Sequence, residues 1–524
     1  MNYRQVIRQL GILVLLVGGC MSTSLIWTFL DYRQVGADVE LQRKIFYAIA
    51  ASMSVCLLIS LSFFAWSRGA AGSLYRKEAI AIVGFGWLLC GLLGALPYIF
   101  SGVLEVQYSN WWDIGCSAFF ESASGFTTTG ASILNSPEDL PRAILFWRSL
   151  THWLGGMGIV VLFVAVLGGT GAGAKFLFSS EVPGPLAESL RPRIRSTAIL
   201  LWKIYLAISI AEVICLLLQG MSMFESLCHT FGTMATGGFS TRNESIGAYN
   251  KLGIEITIIV FMLLAGTNFN LHAALLRRQW KVVLKNKEFR VYLLLLIAAI
   301  TILTVDLAIN RTPNIDYPPD EAAPQTYNLS GALRSASFQA ISIMTTTGYC
   351  TDDFDQWPSL SRWLLVMLMF IGGSAGSTGG GIKVIRIMLF LRVALLEVER
   401  AFRPNVVRTL KVQGRVLDED MRRSVSSYIG MVLVIFFVGT VLLMVLHNEA
   451  HVEDDRQLDL ETAFSAVAAT LNNIGPGLSM VGASQNYAFF TAPAKLLLTL
   501  LMIIGRLEVM VILCLFVPSF YRQK

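Results

Sequence analysis

The chain has 524 residues, 54% of them hydrophobic and 15% charged, with a mean hydropathy of +0.61 and a formal net charge of +6. Soluble domains carry roughly 25% charge, so this composition excludes a soluble globular protein. A bilayer core about 30 Å thick takes about 20 apolar residues per helical span. About ten stretches qualify, and no soluble catalytic or nucleic-acid-binding domain of useful size fits between them.

The first two spans, 6–30 and 45–67, make an N-terminal two-helix segment, residues 1–68. Arg4 and Arg8 precede the first span, and its apolar run continues to Leu30. A cleaved signal peptide has an apolar region of roughly 7–15 residues, so this helix is expected to stay. The rest divides into four units at 69–180, 181–285, 286–415 and 416–524. Their spans are 78–102 with 143–168, 197–219 with 252–276, 289–309 with an interrupted 357–395, and 424–446 with an interrupted 488–518. The eight cysteines show no C-x-x-C spacing, so neither a disulfide framework nor a zinc site is indicated.

Basic residues gather in alternate loops. Arg68, Arg76 and Lys77 form one group, and Lys175, Arg191, Arg193 and Arg195 a second. Arg277, Arg278, Lys281, Lys285, Lys287 and Arg290 form a third. Arg400, Arg403, Arg408, Lys411, Arg415, Arg422 and Arg423 form the last. Positive loops stay cytoplasmic, which predicts that these loops and both termini face inward. The opposite loops are acidic. They carry Asp316, Asp320 and Glu321, then Asp352, Asp353 and Asp355, then Glu449, Glu453, Asp454, Asp455, Asp459 and Glu461. Each alone reads as a solvated loop; together they would make a negative outer face that concentrates cations. His447 and His451 read as a surface pair, since no third metal ligand accompanies them.

Each outward-facing pair of spans is joined by a moderately apolar stretch and a polar turn. The four joins read CSAFFESASGFTTTGAS, ESLCHTFGTMATGGFST, ASFQAISIMTTTGYCT and TAFSAVAATLNNIGPG. With Gly130, Gly237, Gly348 and Gly475 aligned, the copies lie 107, 111 and 127 residues apart. Internal repeats of this kind mark transport folds. One such segment alone would read as helix-packing glue. Four in register call for another reason. The apolar part of each is too short to cross, so it is predicted to descend as a half-helix and return as an extended strand lining a wet path. Converging carbonyls on such strands can replace the hydration shell of a cation, and glycine accepts the positive φ they need.

The helix after each join is broken at LGGMG (154–158), AGTNFN (265–270), GGSAGSTGGG (372–381) and IGRLE (504–508). The third break holds six glycines, each costing roughly 1 kcal/mol relative to alanine in a helix, so an irregular loop is expected. Gly376 and Gly381 match the glycines of a phosphate-binding G-x-x-x-x-G-K, but Ile382 replaces the lysine, which rejects nucleotide binding there. Arg506 and Glu212 are charges inside apolar spans; Arg506 faces either a cavity or an acid such as Glu508.

These motifs, together with EVPGP (181–185) and GGSAGSTGGGIK (372–383), resemble the Trk/Ktr/HKT superfamily of potassium transporters, and most closely its bacterial Trk-type membrane subunit. The resemblance covers nearly the whole chain. It implies an all-α polytopic membrane protein, with an N-terminal helix pair and four helix–pore loop–helix repeats around one central pore. It implies a potassium filter at Thr128, Thr129 and Gly130; Ala235, Thr236 and Gly237; Thr346, Thr347 and Gly348; and Asn473, Ile474 and Gly475. Relatives with serine at the first glycine tend to favour sodium, whereas Gly130 favours potassium. A sodium-permeable or sodium- or proton-coupled relative is the alternative. The resemblance implies a gate beneath the filter, made of Gly372, Gly373, Ser374, Ala375, Gly376, Ser377, Thr378, Gly379, Gly380 and Gly381 with a pore-facing Arg506. It also implies residence in the bacterial inner membrane, a homodimer surrounded by lipid, and a cytosolic ring of nucleotide-binding regulatory subunits. No cofactor is expected in this chain, K+ being the transported ligand, and no enzymatic or nucleic-acid-binding role is implied.

Overall fold

A computed structural model describes residues 1–33, 38–70, 74–158, 194–310, 328–404, 411–412, 415–416, 419–448, 458–507 and 509–521. Residues 159–168, Lys175, the EVPGP motif, Arg191, Arg193, Asp316, Asp320, Glu321, Arg408, Glu449, His451, Glu453, Asp454, Asp455 and Glu508 lie outside the described residues.

Among the described residues, six helices are long and apolar enough to cross a bilayer: Tyr3–Tyr32, Val39–Trp66, Arg76–Ser101, Ser196–Leu218, Lys287–Ile309 and Arg422–His447. Their outward faces are apolar, with Leu58 64%, Leu294 65% and Phe437 61% exposed, which suits lipid and not water. The predicted spans at 252–276 and 488–518 are bent. Leu252–Ala265 meets Phe269–Leu276 at 97°, and Ala492–Leu507 meets Val509–Leu515 at 117°. The stretch 357–395 splits into a helix at Ser359–Met369, an irregular loop, and a helix at Val384–Phe402. All four predicted breaks therefore end a helix, since Arg142–Gly156 also stops at its glycines. The regular β structure described is one ladder pairing Lys411–Val412 with Arg415–Val416. Apart from that ladder, the regular structure of the described residues is helical, as expected.

The joins form four short helices, Trp111–Phe126, Met223–Ala235, Leu329–Met344 and Leu460–Leu471, numbered 1 to 4 below. Each starts at a polar side chain that accepts an otherwise unpaired backbone N–H. Asn110 takes Trp112 N at 3.1 Å, Ser222 takes Glu225 N at 3.2 Å, Asn328 takes Gly331 N at 2.7 Å and Asp459 takes Thr462 N at 3.0 Å. The helices that follow, Arg142–Gly156, Leu252–Ala265, Ser359–Met369 and Ala492–Leu507, are return helices 1 to 4.

Packing closes these eight helices into a ring. Return helix 1 packs on short helix 2, return 2 on short 3, return 3 on short 4, and return 4 on short 1. Polar side chains mark every step. Arg148 donates to the Ser240 carbonyl at 2.8 Å, and Glu255 takes both Arg334 Nε and a terminal nitrogen at 2.6 and 2.5 Å. Arg362 meets Glu461 at 2.5 Å, and Lys495 donates to Ser117 Oγ at 3.1 Å. Glu461 and Asp459 are thus structural, and less of the outer acidity is free than the sequence suggests. The N-terminal helix Tyr3–Met21 packs against Val39–Trp66 and Arg76–Gly94, outside that ring.

Candidate functional site

Each short helix ends in the same backbone turn. Thr129 N donates to Ser124 O at 2.9 Å, Gly237 N to Gly232 O at 2.8 Å, Thr347 N to Ser342 O at 2.8 Å and Ile474 N to Ala469 O at 2.9 Å. This six-to-one bond is the Schellman ending, which needs a left-handed residue just before the donor. That residue is Thr128, Thr236, Thr346 or Asn473, with φ between 54° and 61°. Asparagine tolerates that conformation, whereas a β-branched threonine is strained there. Three strained threonines at equivalent places are the kind of outlier that functional sites retain.

Two residues later the chain turns left-handed again, at Gly130 (φ 83°), Gly238 (77°), Gly348 (80°) and Gly475 (101°). The second copy is therefore offset by one from the sequence alignment: Gly238, not Gly237, matches the other three glycines. Gly237 instead matches Thr129, Thr347 and Ile474. TGG offers two adjacent glycines, and only the pattern Thr/Asn-x-Gly, present in all four copies, separates them.

The four strands interlock in cyclic order. A side chain on Gly130 would strike the Gly237 carbonyl, one on Gly238 the Thr347 carbonyl, and one on Gly348 the Ile474 carbonyl. On Gly475 it would meet the Thr129 carbonyl at 2.8 Å, which closes the circle. The four glycines line one cavity of about 80 Å³, shared with Ser132, Ser240, Cys350 and Tyr487. Among the predicted filter residues, Thr128, Thr129, Ala235, Thr236, Thr346, Thr347, Asn473 and Ile474 are buried.

Side chains brace this backbone from behind. Thr127 Oγ1 donates to Ala123 O at 2.7 Å and bonds Thr129 Oγ1 at 2.8 Å; Thr345 and Thr347 repeat both contacts at the same distances. Nine residues before each glycine the short helix carries Glu121, His229, Gln339 or Ala466. Glu121 accepts Arg148 Nε at 2.6 Å, Ser132 Oγ at 3.1 Å and Ile133 N at 2.9 Å. His229 Nε2 bonds Ser240 Oγ at 3.1 Å, and Gln339 stands beside Cys350. Sequence reasoning missed this set. The signal was there in Glu121 and Arg148, two charges inside apolar stretches.

The glycine-rich loop lies directly beneath the strands. A side chain on Gly380 would sit 2.6 Å from Asn472 O, and one on Gly379 2.9 Å from Thr345 O. The loop is docked at many points. Ser374 N donates to Gly266 O at 3.0 Å, Thr378 Oγ1 to Ala265 O at 3.2 Å, and Gly380 N to Thr346 Oγ1 at 2.7 Å. Glu288, also missed, takes Ala375 N at 2.7 Å, and Lys383 Nζ reaches the Gly379 carbonyl. Arg506 donates to Thr378 O at 2.7 Å, Gly155 O at 2.6 Å and Gly156 O at 3.0 Å, so it ties the loop to the broken end of return helix 1. Two other predicted residues sit apart from this assembly. Glu212 is buried beside Thr233. His447 is not on the surface: it is 3% exposed, its ring edge-on to Phe489 and Phe490.

Comparison with known proteins agrees with this architecture. The model of the TrkH family, described as cation transport proteins, matches residues 49–522. The Trk system potassium uptake protein TrkH of Salmonella typhimurium is 37% identical over 526 residues, covering all of both chains. The TrkH protein of Escherichia coli K12 is similar to the same degree. The crystal structure of the potassium transporter TrkH from Vibrio parahaemolyticus superposes over the whole of both chains, with a TM-score of 0.83 at 32% identity. This chain belongs to the TrkH family of cation transport proteins, membrane subunits of the Trk/Ktr/HKT superfamily.

Proposed function

We propose that the chain carries potassium inward across the bacterial inner membrane through a filter made by residues 128–130, 236–238, 346–348 and 473–475. One observation carries the reading: four strands of one backbone shape close head to tail around a single cavity. Carbonyls converging there would replace the water shell of a dehydrated cation, and the short helices would add the negative ends of their dipoles. The names of the relatives support potassium as the ion.

The loop at 372–381 and Arg506 form the gate in this reading. A guanidinium about 4 Å from a passing cation opposes it by about 4 kcal/mol at an effective dielectric of 20. Both termini face the cytoplasm, two copies associate within the lipid, and a cytosolic ring of nucleotide-binding subunits docks on the basic inner face, which includes Arg403, Lys411 and Arg415. That ring opens the gate through the helix Val384–Phe402, which leads directly out of the loop.

The test is rubidium uptake by the purified protein in proteoliposomes, with sodium as competitor. Uptake that sodium leaves intact supports the potassium filter. Equal competition by sodium favours the sodium-permeable alternative, and no uptake removes transport altogether. Deleting 374–378, or Arg506→Ala, should raise uptake without the partner; wild-type uptake in both variants would place the gate elsewhere.

A further inference from the structure

The second strand lacks the hydroxyl brace of the first and third. Where those carry Thr127 with Thr129 and Thr345 with Thr347, it carries Ala235 with Gly237. Gly237 is not among the glycines of positive φ, so its backbone does not require glycine. What requires it is His152 of return helix 1. A Cβ on Gly237 would lie 2.5 Å from His152 Nδ1 and 2.7 Å from Cγ and Cε1, that is, over the face of the imidazole.

The opposite face of that ring is stacked on Phe239, with centroids 4.0 Å apart and planes 14° from parallel. The Arg148 guanidinium lies 3.5 Å from the Phe239 centroid. Two groups so close to one ring must take opposite faces, so the order is Gly237, His152, Phe239, Arg148. Arg148 is itself fixed by Glu121 and by the Ser240 carbonyl. His152 is 0% exposed, and the polar group beside its ring is the Ser124 backbone. An imidazole buried and wedged between residues 237 and 239 acts through its shape.

We propose that His152 is the positioning residue of the second filter strand. Its ring fills the volume that a side chain at 237 takes in the other three strands, and so sets the orientation of the Gly237 carbonyl against Gly130. Ion discrimination then depends on a residue outside every pore loop. The proposal rests on the filter reading above.

The test measures sodium competition against rubidium uptake, in full-length protein that stays monodisperse. His152→Ala opens a void and Gly237→Thr overfills the site, and each should weaken discrimination about tenfold. The double variant His152→Ala/Gly237→Thr returns the missing volume from the strand itself and should recover to within about threefold of wild type. Should a single variant fail to fold, the double variant decides. A folded double with poor discrimination overturns the proposal, as do folded single variants at the wild-type value. Gly348→Ala separates the two readings. If it lowers discrimination while the His152 variants do not, the filter stands and His152 is packing alone; if it also changes nothing, the filter reading falls and takes this proposal with it.

Discussion

Between Thr127 and Gly130 the first strand is held by hydroxyls, whereas between Asn472 and Gly475 the fourth is held by amides. Thr127 Oγ1 donates to Ala123 O at 2.7 Å; in the fourth copy Asn472 Nδ2 donates to Ala468 O at 2.9 Å. Among the described residues the Thr128 hydroxyl has no hydrogen-bond partner, but Asn473 Nδ2 reaches Thr129 Oγ1 and Met502 O, both at 2.9 Å. Behind the first strand stands the buried Glu121–Arg148 pair; behind the fourth, Ala466 offers only a methyl group. Yet the closing bonds, Thr129 N to Ser124 O and Ile474 N to Ala469 O, are both 2.9 Å. The contrast separates what the ring needs from what it tolerates. It needs a left-handed residue, one spacer and a left-handed glycine. It tolerates a hydroxyl, an amide, an ion pair or plain packing as the brace.

If that separation holds, the largest effects come from the glycines, whichever brace stands behind them. Holding an L-residue in a left-handed conformation costs roughly 1–2 kcal/mol before any clash. Gly130→Ala adds overlap with the Gly237 carbonyl, and Gly475→Ala a contact with Thr129 O at 2.8 Å. Both should lower rubidium-over-sodium discrimination by at least about tenfold, Gly130→Ala the more. Wild-type discrimination in Gly475→Ala would break the equivalence of the two strands.

The braces should matter next, and unequally. Glu121→Gln leaves the Arg148 guanidinium buried without its counter-charge, which typically costs about 3–5 kcal/mol. Thermal unfolding in detergent should fall sharply for Glu121→Gln and stay within about 0.5 kcal/mol of wild type for Ala466→Ser, whose hydroxyl can bond its own helix. Equal losses would mean that the first strand does not depend on its ion pair.

The six long spans, the four joins, their half-helices and the glycine breaks were legible in the sequence, because each rests on local signals. Hydropathy marks Val39–Trp66, a polar residue caps each short helix, and glycine marks each break. The register at 236–238 was not, because adjacent glycines look alike until one of them has to turn left-handed. The contacts of Glu121 with Arg148, and of Glu288 with Ala375, join residues brought together only by folding. His447 read as a surface residue because Phe489 and Phe490, which cover it, arrive from the next loop.

Asn473→Thr sharpens the comparison by giving the fourth strand the residue that the other three carry. Threonine is held left-handed at Thr128, Thr236 and Thr346, so the backbone should survive. The two bonds from Nδ2 are lost, at about 1 kcal/mol each. The melting temperature should drop modestly, with discrimination within about threefold of wild type. A loss of discrimination as large as that of Gly475→Ala would show that the amide, and not the backbone, holds the fourth strand in place.

The smallest effect concerns a carboxylate that the fourth strand borrows. Glu121 braces the first strand from its own helix, but the loop after the fourth strand is held by Asp355, from the loop after the third. Its Oδ1 accepts Ser479 N at 2.9 Å. Burial, helped by the charges of Asp353 and Glu461, raises the Asp355 pKa from its ordinary 3.8 to about 6, outweighing the Ser479 N–H and the charge of Arg362, which act the other way. The folded state therefore holds this proton more tightly than the unfolded chain does. Its contribution to stability is complete below about pH 3.8 and fades as pH rises through about 6. Asp355→Asn keeps an oxygen for Ser479 N and removes the titration. Relative to wild type, the variant should gain melting temperature between about pH 4 and pH 8, with most of the change across the interval between those two pKa values. Glu121 is matched by a buried guanidinium and Asp355 only by an N–H and a more distant arginine, so the gain measures what the missing counter-charge costs the fourth strand. A gap between variant and wild type that stays constant with pH would mean that Asp355 is ionised throughout and that the two carboxylates are braced alike.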